Sequence, residues 1–269
     1  MIGIFKERNT FQVILLFIIA VLAKLAYILN PPAITYFPHQ GLLTDELNNW
    51  YAKGGSIGLA ALVAFCINFS SALYANAVLM NQRMFSKMNL LIALSMVLMS
   101  SLIPEANTLS AAIILLPLLI WNYQNISALY HSTSSKIKLF NAGLGIGVGA
   151  LLYHPFIIML AAAMFALASM RTFKLQEWLI LLLGLLTPYY FFFAYQFLVG
   201  SWHPLQYLPT FTFGYKHING NTYNDFLSRI VILGWVAIGL FYWQSNLRRM
   251  LIQIRKNWHI ILFIAVLST

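Results

Sequence analysis

Three carboxylates and four basic or imidazole side chains are the residues of this sequence best suited to chemistry. Asp45 and Glu46 adjoin in Thr44-Asp45-Glu46, Glu105 follows Pro104, and His154 precedes Pro155. His203, Lys216 and His217 share one polar stretch. An acid pair can supply a general base and a metal ligand, which sugar transfer from a phosphate donor demands. The plainer reading of Asp45 and Glu46 is a solvated surface. Glu105 sits at a membrane-level turn, where a carboxylate is costly unless it serves a purpose or reaches water. It also precedes Thr108, where the next helix is expected to start and its dipole would favour negative charge. Lys216, His217 and His203 carry the donors to meet an anionic headgroup or pyrophosphate. With Tyr207, Phe211, Phe213 and Tyr215 around them, they fit interfacial anchoring equally. His154 reads either as a hydrogen-bonded structural histidine or as a site residue.

The elements that must position these residues follow from composition. Of 269 residues, 61% are hydrophobic and 8% charged, whereas a soluble domain carries about 25% charged residues to cover its wet surface. The remaining apolar surface must face lipid. A net charge of +10 does not mean nucleic acid, because the basic residues fall in small groups between apolar runs and form no stripe. One cysteine, Cys66, excludes a disulfide framework and a cysteine-based metal site, and reads as a small buried hydrophobe. The six histidines are scattered over both sides of the membrane, which rules out a four-histidine iron centre.

Backbone groups in hydrocarbon must be satisfied within their own segment, so each apolar run predicts a helix. The expected fold is an all-α transmembrane bundle of about nine spans: 11–29, 56–80, 88–103, 108–130, 140–154, 155–170, 178–199, 227–245 and 258–269. The first run lacks a small-x-small cleavage site and reads as a retained span. The last is too short to cross, which suggests a truncated chain. Two long periplasmic loops are expected, 30–55 and 201–225. With the N-terminus in the cytoplasm, twelve basic residues lie inside, among them Arg83, Lys87, Lys136, Lys138, Arg171 and Lys174, against Lys53, Lys216 and Arg229 outside. That asymmetry sets the orientation.

Lys24 lies inside the first span, near enough to its outer end to snorkel. Gly143, Gly145, Gly147 and Gly149 imitate a phosphate loop, but no strand precedes them. On a helix they are small-xxx-small pairs that let neighbouring helices approach. Asn68 and Asn122-Tyr123-Gln124-Asn125 are the main polar candidates near span centres.

Met1-Ile2-Gly3-Ile4-Phe5-Lys6 resembles the start of an uncharacterised integral membrane family of Bacteroidota. So do Ser101-Leu102-Ile103-Pro104-Glu105, Lys138-Leu139-Phe140-Asn141-Ala142-Gly143 and Arg171-Thr172-Phe173-Lys174 with Gly184 through Tyr189. That family implies no activity. A broader likeness is to GT-C-type lipid-linked-sugar glycosyltransferases. It lies in an acid in the first outer loop, a Pro-acid turn near the outer end of the third span, and a Gly-rich span ending at Tyr153-His154-Pro155. The likeness implies Asp45 or Glu46 as base or metal ligand, Glu105 as support, and Lys216 or His217 on the donor phosphate. A lysine common in that Gly-rich turn is absent here.

Two functions stand level. One is a GT-C-like enzyme, or a degenerate relative, acting on polyprenyl-phosphate sugars at the periplasmic face of the inner membrane, with a divalent metal only in that case. The other is a non-catalytic scaffold or partner of other membrane proteins in envelope assembly. A transporter is third, and would show polar residues near several span centres. The bilayer is the one partner the composition demands.

Overall fold

The computed structural model describes residues 10–30, 40–85, 89–129, 135–200, 207, 230–231, 234, 236–241, 244 and 251–268. Among them every regular element is a helix. The order is α1 (Thr10–Leu29), α2 (Leu42–Ala52), α3 (Ile57–Asn81), α4 (Leu91–Ser101), a 3₁₀ turn (Pro104–Asn107), α5 (Ala111–Ile114), α6 (Leu116–Ser127), α7 (Ser135–Leu152), a second 3₁₀ turn (His154–Ile157), α8 (Ile158–Met170), α9 (Leu175–Val199) and α10 (Ile252–Ser268). Phe11–Leu29, Ile57–Asn81 and Leu175–Val199 are long and apolar enough to cross a membrane. Of the expected span 227–245 only scattered helical residues are described.

The chain divides into two compact units. The first holds α1, α3, α4 and the Pro104–Asn107 turn. On α1 the inward stripe is Gln12, Leu16, Ala20 and Lys24, the i, i+4 spacing that keeps side chains on one helical face. Leu16 and Ala20 join Phe65, Ala72, Leu90, Ala93 and Val97 in one core cluster. Phe17 meets Phe65 and Phe69 edge-on, with centroids 6.0 and 5.4 Å away. The end of α3 is a double-bonded cap: Met84 N donates to Leu79 O and Arg83 N to Met80 O. Arg83 holds the left-handed conformation (φ 56°) that such a cap requires.

α4 is shorter than expected. The run 88–103 delivers an 11-residue helix, about 16 Å long, or half of a hydrocarbon core about 30 Å thick. Its continuation is broken by Pro104, which opens the 3₁₀ turn. The run 108–130 is interrupted by a proline too, since Pro117 cannot donate to the carbonyl of Ile113. The turn of backbone falls between α5 and α6.

The second unit holds α2, α5 to α9, and α10 from Lys256 onward. Its tightest contact is α7 on α9. A Cβ at Gly143 would meet Leu181 O, one at Gly147 would meet Leu185 O, and one at Gly184 would meet Phe140 O. Backbone therefore lies against backbone, as the small-residue spacing predicts. Pro188 frees the carbonyl of Gly184 inside α9, and Thr187 Oγ1 donates to Leu183 O, one residue earlier, at 2.7 Å. Gly200 (φ 76°) stops the helix.

Candidate functional site

The loop 30–55 contains a helix that apolar-run reading passes over. α2 carries Asp45 in its first turn, where the positive helix end favours a carboxylate. Thr44 and Tyr51, seven residues apart, form its buried face. Gly41 starts it at φ 123°, and a Cβ there would run into the backbone of Leu152 and Tyr153. Only glycine permits both that angle and that approach. α2 is thereby fastened to the end of α7, and His154 N donates to Gln40 O at 2.8 Å.

This junction gathers polar groups the protein does not satisfy. His154 is 4% exposed, and neither ring nitrogen has a protein partner. The hydroxyls of Thr44 and Tyr189 are buried and unpartnered too. Tyr189 clusters with Ala150 and Leu151, and Leu42 and Ile157 pack against that cluster. The Asp45 carboxylate lies close enough for its charge to act on the His154 ring. Each buried orphan costs about 1–3 kcal/mol, so four such atoms on three side chains form an unfinished hydrogen-bonding surface. A carboxylate can take a proton from a hydroxyl, and no hydrogen bond to His154 occupies the Asp45 carboxylate. Threonine and tyrosine hydroxyls can bind a hydroxyl-bearing ligand.

The other expected residues are placed less favourably for a shared site. Glu46, next to Asp45 on α2, is exposed while Asp45 is half-buried, because neighbouring positions on a helix point about 100° apart. Glu105 lies in the first unit and is exposed in its 3₁₀ turn. The following helix begins at Ala111 behind the N-cap Ser110, so the expected dipole does not act on Glu105 directly. His203, Lys216 and His217 lie outside the described residues. Among the described residues no three His, Cys, Asp or Glu side chains stand where they could hold a metal. The diverging pair Asp45 and Glu46 does not fit one either.

Lys24 does not snorkel. It is 3% exposed and its ammonium has no protein partner, since the i, i+4 stripe of α1 turns it inward. Cys66 is exposed rather than buried.

At the opposite end of the second unit, charges are answered within the protein. Arg171 Nη1 meets Glu177 Oε1 at 2.9 Å, and Ser135 Oγ donates to the same oxygen at 3.3 Å. Arg171 Nε donates to Leu129 O, Lys138 Nζ to Ala128 O and Lys256 Nζ to Ser169 O. These carbonyls lie at the ends of α6 and α8, where helices leave acceptors free and cations are favoured. Here the chemistry holds helix ends together.

The chain matches no protein-family model, no curated protein and no solved structure.

Proposed function

We propose that the chain is a multi-pass inner-membrane protein that transfers sugar from a polyprenyl-phosphate donor at the periplasmic face, in the manner of GT-C enzymes. The reading has the N-terminus in the cytoplasm and about nine hydrophobic segments. The observation that carries it is the Asp45 carboxylate set against the unpartnered ring of His154. Supporting it, Lys138, Arg171 and Lys256 dock at one end of the second unit while α2 docks at the other end of α7. The positive-inside rule assigns that basic end to the cytoplasm and α2 to the periplasm.

The proposed step needs no protein-held metal. Asp45, with His154 beside it, takes the proton from an acceptor hydroxyl as that oxygen bonds to the anomeric carbon. The bond from that carbon to the polyprenyl phosphate breaks, and the phosphate leaves with the electron pair. The test is mass spectrometry of lipid-linked sugars and surface glycans in a deletion strain complemented with wild type, Asp45→Asn or His154→Leu. Accumulated donor lipid restored to normal only by wild type supports transfer. Identical glycans in all four strains would overturn it.

The second reading, a non-catalytic partner in envelope assembly, draws on the exposure of Glu46 and on the lack of a gathered acid cluster among the described residues. It predicts that both variants complement fully while deletion of the chain does not.

A further inference from the structure

Two asparagines of α3 measure how deep the Pro104–Asn107 turn lies. Asn76 Nδ2 donates to Asn89 O at 2.9 Å, just before α4. Asn68 Nδ2 donates to Ala106 O at 2.7 Å, within the turn. The two anchors are eight positions apart on α3, so α4 and its turn rise only about 12 Å along that helix. Asn68 is near the middle of α3 (Ile57–Asn81), and α3 is one of the helices long and apolar enough to cross a bilayer. Glu105 is therefore held at about half the height of a membrane-spanning helix, and it is exposed there.

Hydrocarbon does not accommodate an ionised carboxylate at that level. Nor can the turn slide outward. Besides the Asn68 bond, Asn107 Nδ2 donates to Ser100 O and Ile103 O, tying the turn to the end of α4. α1 packs against the same turn. The C-terminal end of α4 points its negative pole at the turn. Irregular backbone at membrane depth is tolerated where it lines a water-filled cavity.

We propose that the first unit contains a water-filled vestibule reaching the half-height of α3, which presents the Glu105 carboxylate there to a cationic ligand. The inference rests on α3 crossing the bilayer and not on sugar transfer. Native Cys66 supplies the control. It lies two residues from Asn68, about 200° around the helix, and is exposed at nearly the same height.

The experiment uses the full chain in phosphatidylcholine nanodiscs, with membrane-impermeant cationic and anionic methanethiosulfonates reaching both faces. Wild type should label slowly at Cys66, where the surroundings are lipid. Cys66→Ala/Glu105→Cys and Cys66→Ala/Thr108→Cys should label at least tenfold faster. At Thr108→Cys the cationic reagent should react about tenfold faster than the anionic one, and adding Glu105→Gln should remove that preference. Labelling of both new cysteines as slow as Cys66 would overturn the vestibule. A charge preference indifferent to Glu105→Gln would overturn the cation site. Rapid labelling of Cys66 itself would take the bilayer away from α3 and overturn the inference at its premise.

Discussion

The two ends of the second unit share α7 to α9 and satisfy their polar side chains to different degrees, with Glu177 Oε2 left without a partner even at the basic end. At the basic end, Arg171, Lys138, Lys256 and Ser135 reach a carboxylate or a free helix-end carbonyl. At the end where α2 docks, the side-chain polar atoms of His154, Thr44 and Tyr189 are buried without hydrogen-bond partners in the protein. Groups satisfied inside the protein fix its shape. Groups left unsatisfied lower its stability and are available to something else, which is why the proposed site is set at the second end.

The largest break in this contrast comes from Arg171→Ala. It leaves the Glu177 carboxylate, 6% exposed, without its counter-charge, and should cost about 3 kcal/mol, read as a fall in thermal unfolding temperature in detergent. Unchanged unfolding would mean that the basic end does not hold the unit together. Next is Gly41→Ala, which forces a side chain into the backbone of Leu152 and Tyr153 at a left-handed angle. A loss of about 2 kcal/mol should be confined to α2. Hydrogen exchange would then rise over residues 42–52 and stay unchanged at Ser135 and Glu177. A smaller effect belongs to Ser135→Ala, about 1 kcal/mol for one hydrogen bond to a charged group that keeps its main partner. The smallest belongs to His154→Leu. Replacing an imidazole without partners by an apolar side chain removes that orphan cost and should leave stability unchanged or raise it by about 1 kcal/mol, while abolishing the proposed sugar transfer. A large destabilisation by His154→Leu would reclassify that histidine as structural and erase the difference between the two ends.

Much of the helical framework is legible in the apolar runs. The runs 11–29, 56–80 and 178–199 become Thr10–Leu29, Ile57–Asn81 and Leu175–Val199, because removing backbone and apolar side chains from water dictates helix wherever the run is long enough. The glycines of α7 are legible for a similar reason. Their spacing puts Gly143 and Gly147 on one face, and that face meets α9. α2 escapes such reading because residues 42–52 are mixed in polarity. Its signal is the helical spacing of Leu43, Leu47, Trp50 and Tyr51, preceded by Gly41. α4 escapes it differently. Residues 88–103 are apolar enough to suggest a span, yet Pro104 and the grip of Asn68 end the helix at half-height.

Of the proposed site, sequence supplies Asp45 and His154 singly and gives no reason to join them across more than a hundred residues. Lys24 makes the same point for burial. Its position in the first span is evident, but its inward direction depends on which stripe of α1 meets α3 and α4. By itself the sequence determined the solvent of this protein and the helical form of its long apolar runs, since the transfer of each residue into lipid adds locally along the chain. Which distant polar groups are left facing one another, and at what depth, was decided only in the tertiary structure. That outcome depends on glycine contacts, proline breaks and asparagine anchors acting between helices, and no local sum contains them.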